Sequence, residues 1–320
     1  MQNKFNDISI IIPVYSCVEC LQELYSRIYD TLYPKNITFE VIFVNDDSPD
    51  DSSLILTEMI KNNSFITNIT LSKNFGQHSA IHAGLSNAES EWIVIMDCDL
   101  QDLPEEIIAL YDKALKGFDI VFALRNNRQD SWLKKAASKL FYKTLSYLTD
   151  TYQDERTANF GIYNKKVITA FLSMKEQLRY FPVMIRWLGF NSTSINVTHA
   201  KRTQGKSSYS LGKMFSLAID VMISFSDKPL KIVTAIGLSI STTSFFYVLY
   251  LFGRAIIYDQ AIPGWTSVMV SIWFFSGLII LILGIVGIYV GKTFDETKKR
   301  PIYVIKELMK SNNKTNISSL

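Results

Sequence analysis

The sequence predicts an α/β protein with a mostly parallel sheet flanked by helices, followed by two membrane-spanning helices. Three observations lead to this fold class. Short β-branched runs alternate with helix-length segments through residues 1–125, a pattern typical of parallel sheets with helices on both faces. Two uncharged stretches near the C-terminal end each exceed the ~20 residues that cross a bilayer. A chain of 320 residues with 48% hydrophobic content can form one large domain and still supply these apolar segments.

Five runs predict the strands of the sheet. In chain order they are ISIIIPV, FEVIFVN, ITLS, EWIVIMD and DIVFAL. Ligands of such sheets bind at the carboxyl ends of the strands. Polar residues collect after each run: Tyr15, then Asn45, Asp46 and Asp47, then Lys73 and Asn74, then Asp97 and Asp99, and finally Arg125 and Arg128. The chain has no GxGxxG motif and no P-loop, which excludes an ordinary dinucleotide fold and a P-loop enzyme.

Asp97 and Asp99 are the candidate metal ligands. Side chains two apart on an extended segment point to the same side, so we expect these carboxylates to face together and Cys98 to face elsewhere. Such hard oxygen ligands suit Mg²⁺ or Mn²⁺, and Gln101 can add a carbonyl oxygen. The alternative is an acidic turn that only caps a helix near Pro104, which accounts for Asp102 but not for the other two carboxylates.

The uncharged stretches, at about 231–253 and 265–290, predict a transmembrane hairpin. The alternative is two buried core helices, but soluble helices of this length rarely lack charge. Lysine and arginine flank the hairpin, whereas its connector has one arginine, so both termini are expected in the cytoplasm. The predicted organisation is a catalytic domain at 1–208, an interfacial amphipathic helix at 209–228, two transmembrane helices within 229–291 and a cytoplasmic tail at 292–320.

The expected redox state of the cysteines follows from this membrane topology. No stretch resembles a signal peptide, so residues 1–227 are expected in the cytosol, where Cys17, Cys20 and Cys98 would remain thiols. The motif CVEC places Cys17 and Cys20 at the spacing of a redox pair. A packing role is nevertheless favoured for them, because nothing else near the motif resembles a redox or zinc site. A surface or packing role is likewise favoured for His78 and His82, since no third metal ligand accompanies them. The net charge of +3 is too small to indicate a nucleic-acid partner.

The segment DSWLKKAASKLFYKTLSYL combines an apolar stripe with surrounding lysines, which predicts a helix in a membrane interface. An anionic lipid head group bound beside it would meet Arg128, Lys134, Lys135 and Ser138, with Arg202 and Lys206 closing over it on a mobile loop. The alternative is an ordinary amphipathic helix packed on the sheet. For the second candidate, SLGKMFSLAIDVMISFSDKPLK, the two interpretations stay equally open.

Several motifs together carry a family resemblance: IIPVY, FVNDDSPDDS, LSKNFGQHSAIHAGL, MDCDLQDLPEE, RNNRQDSWLKK, KPLK and GIYVGKTFDETKKRPIYV. The chain resembles the polyprenyl-phosphate glycosyltransferases of glycosyltransferase family two, such as dolichol-phosphate mannose synthases and bactoprenol glucosyltransferases. The resemblance covers nearly the whole chain. It implies a GT-A fold, a nucleotide-diphosphate sugar donor, a divalent metal, a lipid phosphate acceptor and a homo-oligomer, namely a tetramer.

The resemblance also implies roles for single residues. Pro13, Tyr15 and Asp46 match nucleotide-binding positions, Asp97 and Asp99 match the DxD metal motif with Gln101 beside it, and Arg125 matches the arginine that reaches the phosphates. The remaining expected donor contacts are Cys17, Val44, Lys73, Cys98, Arg202 and Lys206. Three positions depart from the family pattern: Cys17 replaces a glutamate, Asn159 replaces an aspartate proposed as base, and Ser208 replaces a basic residue whose role Lys206 can take.

The expected function is an inverting transfer of one sugar, from a UDP-sugar, to undecaprenyl phosphate on the cytoplasmic face of a bacterial inner membrane. The product would serve a cell-envelope pathway such as O-antigen or teichoic acid decoration. One alternative is a processive polysaccharide synthase, but VMIRW lacks the glutamine of the usual QxxRW motif. Another is a non-catalytic, membrane-tethered sensor or scaffold, which the intact acidic pair disfavours. The sequence leaves the sugar and the base open.

Overall fold

The computed structural model describes residues 6–125, 146–147, 157–176, 180–198, 200, 226, 228–258 and 264–311. The chain divides into two compact units. The sheet unit comprises Met1–Met214 together with Arg300–Leu320, and the helical unit comprises Phe215–Lys299.

Within the described part of the sheet unit, eight strands form one sheet. They are β1 Ile8–Val14, β2 Phe39–Asn45, β3 Ile66–Leu71, β4 Trp92–Ile95, β5 Ile120–Arg125, β6 Thr157–Asn164, β7 Ser192–Val197 and β8 Ile305–Lys310. Their order across the sheet is β7-β5-β6-β4-β1-β2-β3-β8. Strands β3, β2, β1 and β4 run parallel, β6 runs antiparallel to both β4 and β5, β7 is parallel to β5, and β8 is antiparallel to β3.

The predicted α/β class is confirmed, and all five predicted strands are present as β1 to β5. Every residue of β1 is buried, as expected for a central strand of a parallel sheet covered on both faces. The fourth strand is shorter than its sequence run, because β4 ends at Ile95 and leaves Met96 and Asp97 outside it. The acidic segment therefore begins where the sheet ends.

Three strands were not predicted. β6 and β7 extend the sheet beyond β4, and β8 forms its opposite edge. β8 lies within the segment expected to be a tail, and its sequence IKELMK has no hydrophobic run that marks a strand. Its pairing with β3 brings residues after the helical unit back into the sheet unit. The predicted domain boundaries themselves stay a prediction.

Eight helices lie in the described residues. In the sheet unit they are α1 Leu21–Leu32, α2 Ser52–Asn62, α3 Gln77–Asn87, α4 Ile107–Ala114, α5 Lys165–Ser173 and α6 Phe181–Trp187. In the helical unit they are α7 Lys228–Tyr258 and α8 Trp265–Thr297. Helix α1 shows why such segments cover the sheet: its buried residues recur at helical spacing and place one apolar stripe in the core, namely Leu21, Leu24, Tyr25, Ile28 and Leu32.

Helix α3 packs unusually close to the sheet because of Gly84. A Cβ atom at this position would collide with Cγ2 of Ile11 and lie 3.1 Å from Cγ2 of Val44. Only a residue without a side chain fits this contact between α3, β1 and β2. The close packing fixes the position of α3, whose first residue, Gln77, contacts the acidic segment.

The helical unit exposes its large apolar residues. Trp273, Ile280 and Leu283 of α8 are 79%, 70% and 63% exposed. Among the described residues, one helical segment, Ser271–Thr297, is both long and apolar enough to cross a membrane, judged by length and composition alone. In α7 a shorter apolar stretch, Leu230–Ile240, is found. The second span of the predicted hairpin stays a prediction, and the predicted interfacial helices, at 130–148 and 209–228, fall almost wholly outside the described residues.

Candidate active site

The candidate site lies at the carboxyl ends of the central parallel strands. From β1 the chain adds β2 and β3 on one side, and then places β4 on the other side of β1. The neighbouring strands β1 and β4 thus lead into connections that run in opposite directions, which opens a crevice at their carboxyl ends. Ligands of doubly wound sheets bind at this kind of switch point. Met96, the residue after β4, donates its backbone N–H to the carbonyl of Ile11 at 3.1 Å, so the acidic segment begins directly beside β1.

The acidic segment forms a turn and not an extended run. Cys98 and Asp99 lie in the turn, and Leu100 has a φ of +60°. Asp97 and Asp99 were expected to face together with Cys98 facing elsewhere, but that expectation needs an extended backbone, and this segment is a turn. The turn is held by hydrogen bonds, since the Gln101 N–H donates to Oδ1 of Asp99 at 3.2 Å. Both Asp97 and Asp99 are half-buried.

Gln77 is a site residue that the sequence reasoning missed. Its Nε2 donates to Oδ1 of Asp97 at 2.7 Å, which fixes the orientation of that carboxylate. Gln77 is the first residue of α3, and α3 follows the strand β3. The sequence did contain one signal for Gln77 as a site residue, namely a polar residue at the start of a helix that follows a strand. Its pairing with Asp97 depends on tertiary structure.

Asp46 positions the start of α3. Its two carboxylate oxygens accept the backbone N–H groups of Phe75 at 2.7 Å and Gly76 at 2.8 Å. Burial raises the pKa of Asp46, and these two hydrogen bonds oppose that rise. Asp46 therefore supports the loop that presents Gln77 to Asp97. The expected contact between Asp46 and a nucleotide stays a prediction.

A second network holds the loop after β1. The Ser16 N–H donates to Oγ of Ser48 at 2.8 Å, and the Val18 N–H donates to Oδ2 of Asp50 at 3.1 Å. Oγ of Ser48 in turn donates to Oδ1 of Asp50 at 2.5 Å. Burial raises the pKa of Asp50, but hydrogen bonds from Ser48, Ser52 and Val18 outweigh burial and leave the pKa below its usual value. This carboxylate is a structural anchor for the loop that contains Cys17.

The expectation that all three cysteines are thiols is wrong for two of them. Cys17 and Cys98 form a disulfide, with their Cα atoms 6.4 Å apart. The physical reason is topological: Cys17 follows β1 and Cys98 follows β4, and the carboxyl ends of these adjacent parallel strands meet at one edge. Cys20 is not part of this disulfide. Cys17 and Cys20 both contact the core, which agrees with the predicted packing role. Cys17 in addition forms the disulfide, which that role does not include.

The other predicted donor contacts are distributed along the same edge. Pro13 and Val44 face each other in the register of β1 and β2, and both are buried. Tyr15 is 47% exposed and follows β1, so its ring is accessible to a ligand. The ammonium group of Lys73 lies 5.0 Å from the ring centre of Phe75. Arg125 ends β5. The contacts of these five residues to a donor stay predictions.

Asn159 lies on β6, the strand that pairs with antiparallel β4. The pairing ends at Gly161 and Ile95, so Asn159 and Asp97 each lie two residues beyond the last pair, at the end of β4 where the acidic segment begins. The role of Asn159 in the site stays a prediction. A third chain segment reaches the same place, because the Ala200 N–H donates to the carbonyl of Gln101 at 3.0 Å.

Six predicted site residues lie outside the described residues: Arg128, Lys134, Lys135, Ser138, Arg202 and Lys206. The two histidines of α3 have packing roles, as expected. The ring of His78 lies 4.8 Å from that of Tyr180, and His82 packs between Phe171 and Tyr303.

The donor atoms of the acidic segment fit a hard divalent cation. Asp97 and Asp99 offer carboxylate oxygens, and the side chain of Gln101 offers an amide oxygen in the same turn. In the part of the chain that is described, no three His, Cys, Asp or Glu side chains form a complete metal cluster. Magnesium sites commonly use one or two protein carboxylates and complete their coordination with water and substrate phosphates. The residues present fit that arrangement, in which a phosphate-containing substrate supplies further ligands.

An α/β sheet with polar side chains at its switch point is typical of enzymes that bind a ligand at the carboxyl ends of the strands, and comparisons with known proteins show the family. Residues 9–172 match the family model described as Glycosyl transferase family 2. An uncharacterized glycosyltransferase of Synechocystis sp. is 35% identical, with 94% of this chain and 95% of that protein aligned.

Two further relatives have names that state an acceptor. A prophage bactoprenol glucosyl transferase homolog of Escherichia coli is 31% identical, with 95% of this chain and 99% of that protein aligned. An undecaprenyl-phosphate 4-deoxy-4-formamido-L-arabinose transferase of Aeromonas hydrophila is also 31% identical, with coverages of 95% and 94%. The chain belongs to glycosyl transferase family 2 and is a glycosyltransferase.

Proposed function

We propose that this glycosyltransferase moves one sugar from a nucleoside-diphosphate sugar, UDP-linked in our expectation, to undecaprenyl phosphate at a membrane surface. The observation that carries the proposal is the acidic turn at the switch point between β1 and β4, in the same chain as the exposed apolar helix α8. Relatives aligned over nearly their whole length are named for bactoprenol and undecaprenyl phosphate, which supports a lipid phosphate acceptor.

The reaction forms a bond between an acceptor phosphate oxygen and the anomeric carbon. The bond from that carbon to the donor diphosphate breaks on the opposite face, so the configuration inverts and a nucleoside diphosphate leaves. Asp97 and Asp99, with Gln101, would hold Mg²⁺ or Mn²⁺, which neutralises charge on the departing diphosphate. Arg125 at the end of β5 would add a second positive charge to the same group.

The acceptor needs no protein base. A phosphate monoester has a second pKa of about 6, so near neutral pH it is already largely a dianion. It needs cationic positioning, for which the resemblance supplies Arg128, Lys134, Lys135, Arg202 and Lys206, together with the hydroxyl of Ser138. Asn159 would stand where the family has an aspartate, and its neutral amide would add no negative charge that repels the incoming phosphate.

The sheet also constrains how the chain crosses a membrane. Strands β1 to β7 precede the helical unit and β8 follows it, yet all eight belong to one sheet. The number of crossings between them must therefore be even. If α8 crosses the bilayer, a second crossing is needed, and α7 would supply it as the other helix of sufficient length among the described residues between β7 and β8. This supports the two-helix hairpin and a multi-pass membrane protein.

The hydroxyl groups of α7 are compatible with an apolar environment. Thr234, Ser239, Thr242 and Thr243 each donate to the backbone carbonyl four residues earlier, so the helix satisfies these groups internally. Lysine and arginine flank the outer ends of the hairpin at Lys228 and Lys231 and at Lys298, Lys299 and Arg300. By the positive-inside rule, the sheet unit and both termini would lie on the cytoplasmic face, in a bacterial inner membrane.

The proposal is tested by incubating the purified protein with Mn²⁺, a panel of labelled nucleotide sugars and undecaprenyl phosphate. We expect label in the lipid extract for one donor, with one sugar per lipid. Long water-soluble polymer would instead indicate a processive synthase, and no turnover with any donor would indicate a sensor or scaffold.

Asp99→Asn should lower the transfer rate by at least ~10², the scale of losing one electrostatic contact to a developing charge. Asp112→Asn is the matched control, because Asp112 is exposed on α4, away from the carboxyl edge, and should not change the rate. Residual activity of Asp99→Asn above about a tenth of wild type, with the same metal dependence, would contradict the assignment of the acidic pair.

A further inference from the structure

The Cys17–Cys98 disulfide bridges the crevice in which the donor is proposed to bind. It joins residues 81 positions apart across the carboxyl ends of β1 and β4. Cys98 lies between Asp97 and Asp99, so the disulfide ends inside the candidate metal site. Cys17 immediately precedes the 3-10 turn Val18–Cys20, which follows β1.

Both ends of the disulfide are attached to well-held backbone. On the side of Cys17, the loop is tied to Ser48 and Asp50 by backbone N–H groups at 2.8 and 3.1 Å. On the side of Cys98, Gln77 holds Asp97, and the Gln101 N–H holds Asp99. The disulfide adds a covalent link between these two supports. With it in place, the turn of Cys98 and Asp99 cannot move without the loop after β1.

We propose that Cys17 and Cys98 are a reversible redox site that controls binding at the acidic turn. In the disulfide form the two sulfur atoms occupy the space between the ends of β1 and β4, and the carboxylates cannot adjust around a metal ion and a diphosphate. In the dithiol form the link is lost and the crevice opens. The disulfide is the low-affinity form and the dithiol is the competent form. This inference rests on the proposed function only for the identity of the bound ligand.

The chemistry balances with a dithiol as the reductant. Cys17 is half-exposed whereas Cys98 is 9% exposed, so a thiolate of the reductant attacks the sulfur of Cys17. A mixed disulfide forms with Cys17, and Cys98 leaves as a thiolate that takes up a proton. The second thiol of the reductant then attacks its own linked sulfur, which releases Cys17 as a thiol and leaves the reductant as a cyclic disulfide. In the reverse direction, an azo oxidant such as diamide takes two electrons and two protons from the two thiols.

The first measurement establishes the site itself. The full-length protein is treated with diamide or with dithiothreitol, exposed to iodoacetamide under denaturing conditions and examined by peptide mass spectrometry. We expect Cys17 and Cys98 to be joined after diamide and alkylated after dithiothreitol, with Cys20 alkylated in both cases. Alkylation of Cys98 after diamide treatment would overturn the proposal.

The second measurement tests the consequence with Mn²⁺ as the probe. Binding to the full-length protein, followed by electron paramagnetic resonance, should be about tenfold weaker in the diamide-treated form, as expected when the competent conformation becomes a minor population. The ratio of the two dissociation constants should fall to one in Cys17→Ser and in Cys98→Ser. Cys20→Ser is the matched control and should keep the wild-type ratio, because it retains the disulfide pair.

Equal Mn²⁺ binding in the two forms, including absence of binding in both, would overturn the redox inference. Sugar transfer under reducing conditions distinguishes this failure from failure of the proposed function. Transfer without a redox effect would leave the proposed function intact and remove the inference. A redox effect on Mn²⁺ binding without transfer to any polyprenyl phosphate would leave the redox inference intact and remove the proposed function.

Discussion

The sheet unit and the helical unit place their large apolar residues in opposite environments. In the sheet unit, residues such as Ile10, Phe43 and Phe160 have no exposed surface. In the helical unit, Trp273, Ile280 and Leu283 are more than three-fifths exposed. Exposing apolar surface to water costs about 25 cal/mol per Å². The sheet unit avoids this cost for these residues by its own packing, whereas the helical unit leaves its large apolar residues exposed.

This difference separates two sources of stability. A change in the core of the sheet unit acts through the packing of one side chain against another. A change on α8 acts through the surroundings of the helix, which we propose to be lipid. Matched substitutions in the two units can therefore distinguish the two sources.

The largest expected effect is that of an arginine on α8. Leu283→Arg should greatly reduce the fraction of the protein that stays in carbonate-washed membranes, because arginine near the centre of a membrane helix costs about 2.5–3.5 kcal/mol. The matched control in the sheet unit is Leu115→Arg, at a position that is 60% exposed and where arginine would lie in water. If both variants remained fully integrated in the membrane, the comparison between the two units would fail, since Leu283 would not face lipid.

A smaller effect is expected from glycine-to-alanine changes. Gly84→Ala should lower the free energy of unfolding by about 1–3 kcal/mol, because the new methyl group collides with Ile11 and overpacks the contact between α3 and the sheet. Gly287→Ala should leave stability unchanged or slightly raised, because no atom of the described residues lies within 4 Å of the added carbon. Thermal unfolding in detergent measures both changes. Equal effects would show that the two helices are packed alike.

The smallest expected effect is the pH dependence contributed by His78. Burial lowers the pKa of His78 to about 4, so its folded-state pKa lies below the unfolded value of about 6.5. The unfolded chain therefore binds the proton more readily, and stability is lost as pH falls from about 6.5 toward 4. Between pH 7.5 and 5.5 the wild type should lose ~1 kcal/mol more than His78→Gln.

Thermal unfolding of the two proteins at both pH values measures this difference. A histidine titration belongs to the sheet unit alone, since the three histidines of the chain, His78, His82 and His199, all fall within it. Parallel pH profiles of the wild type and His78→Gln would show that the histidine is not buried as a neutral group.

Much of the sheet and part of the site could be predicted from local sequence. The strands β1 to β5 are marked by β-branched runs, and Asp97 and Asp99 are marked by their place after the fourth run. These features depend on residues next to one another in the chain. The residues predicted from family resemblance at 128–138 and at 202 and 206 lie outside the described residues and stay predictions.

The missed features depend on contacts between distant parts of the chain. Gln77 has an ordinary sequence environment and becomes a site residue because α3 is anchored at Asp46 and packed at Gly84. Strand β8 has a charged sequence and is a strand because β3 offers it a free edge. The two partners of each of these contacts are far apart in the sequence, so no local pattern contains both of them.

Local sequence is sufficient to predict the α/β sheet, the acidic pair after the fourth strand and the long apolar helices, because hydrophobic periodicity and charge depend on residues that are neighbours in the chain. The return of β8 to the sheet and the contact between Cys17 and Cys98 depend instead on how distant segments pack together. The order of strands places β4 beside β1, and this brings together two cysteines that 81 residues of intervening chain separate. Strand order is set by the packing of the whole sheet, so a prediction made one segment at a time could not place the disulfide in the crevice.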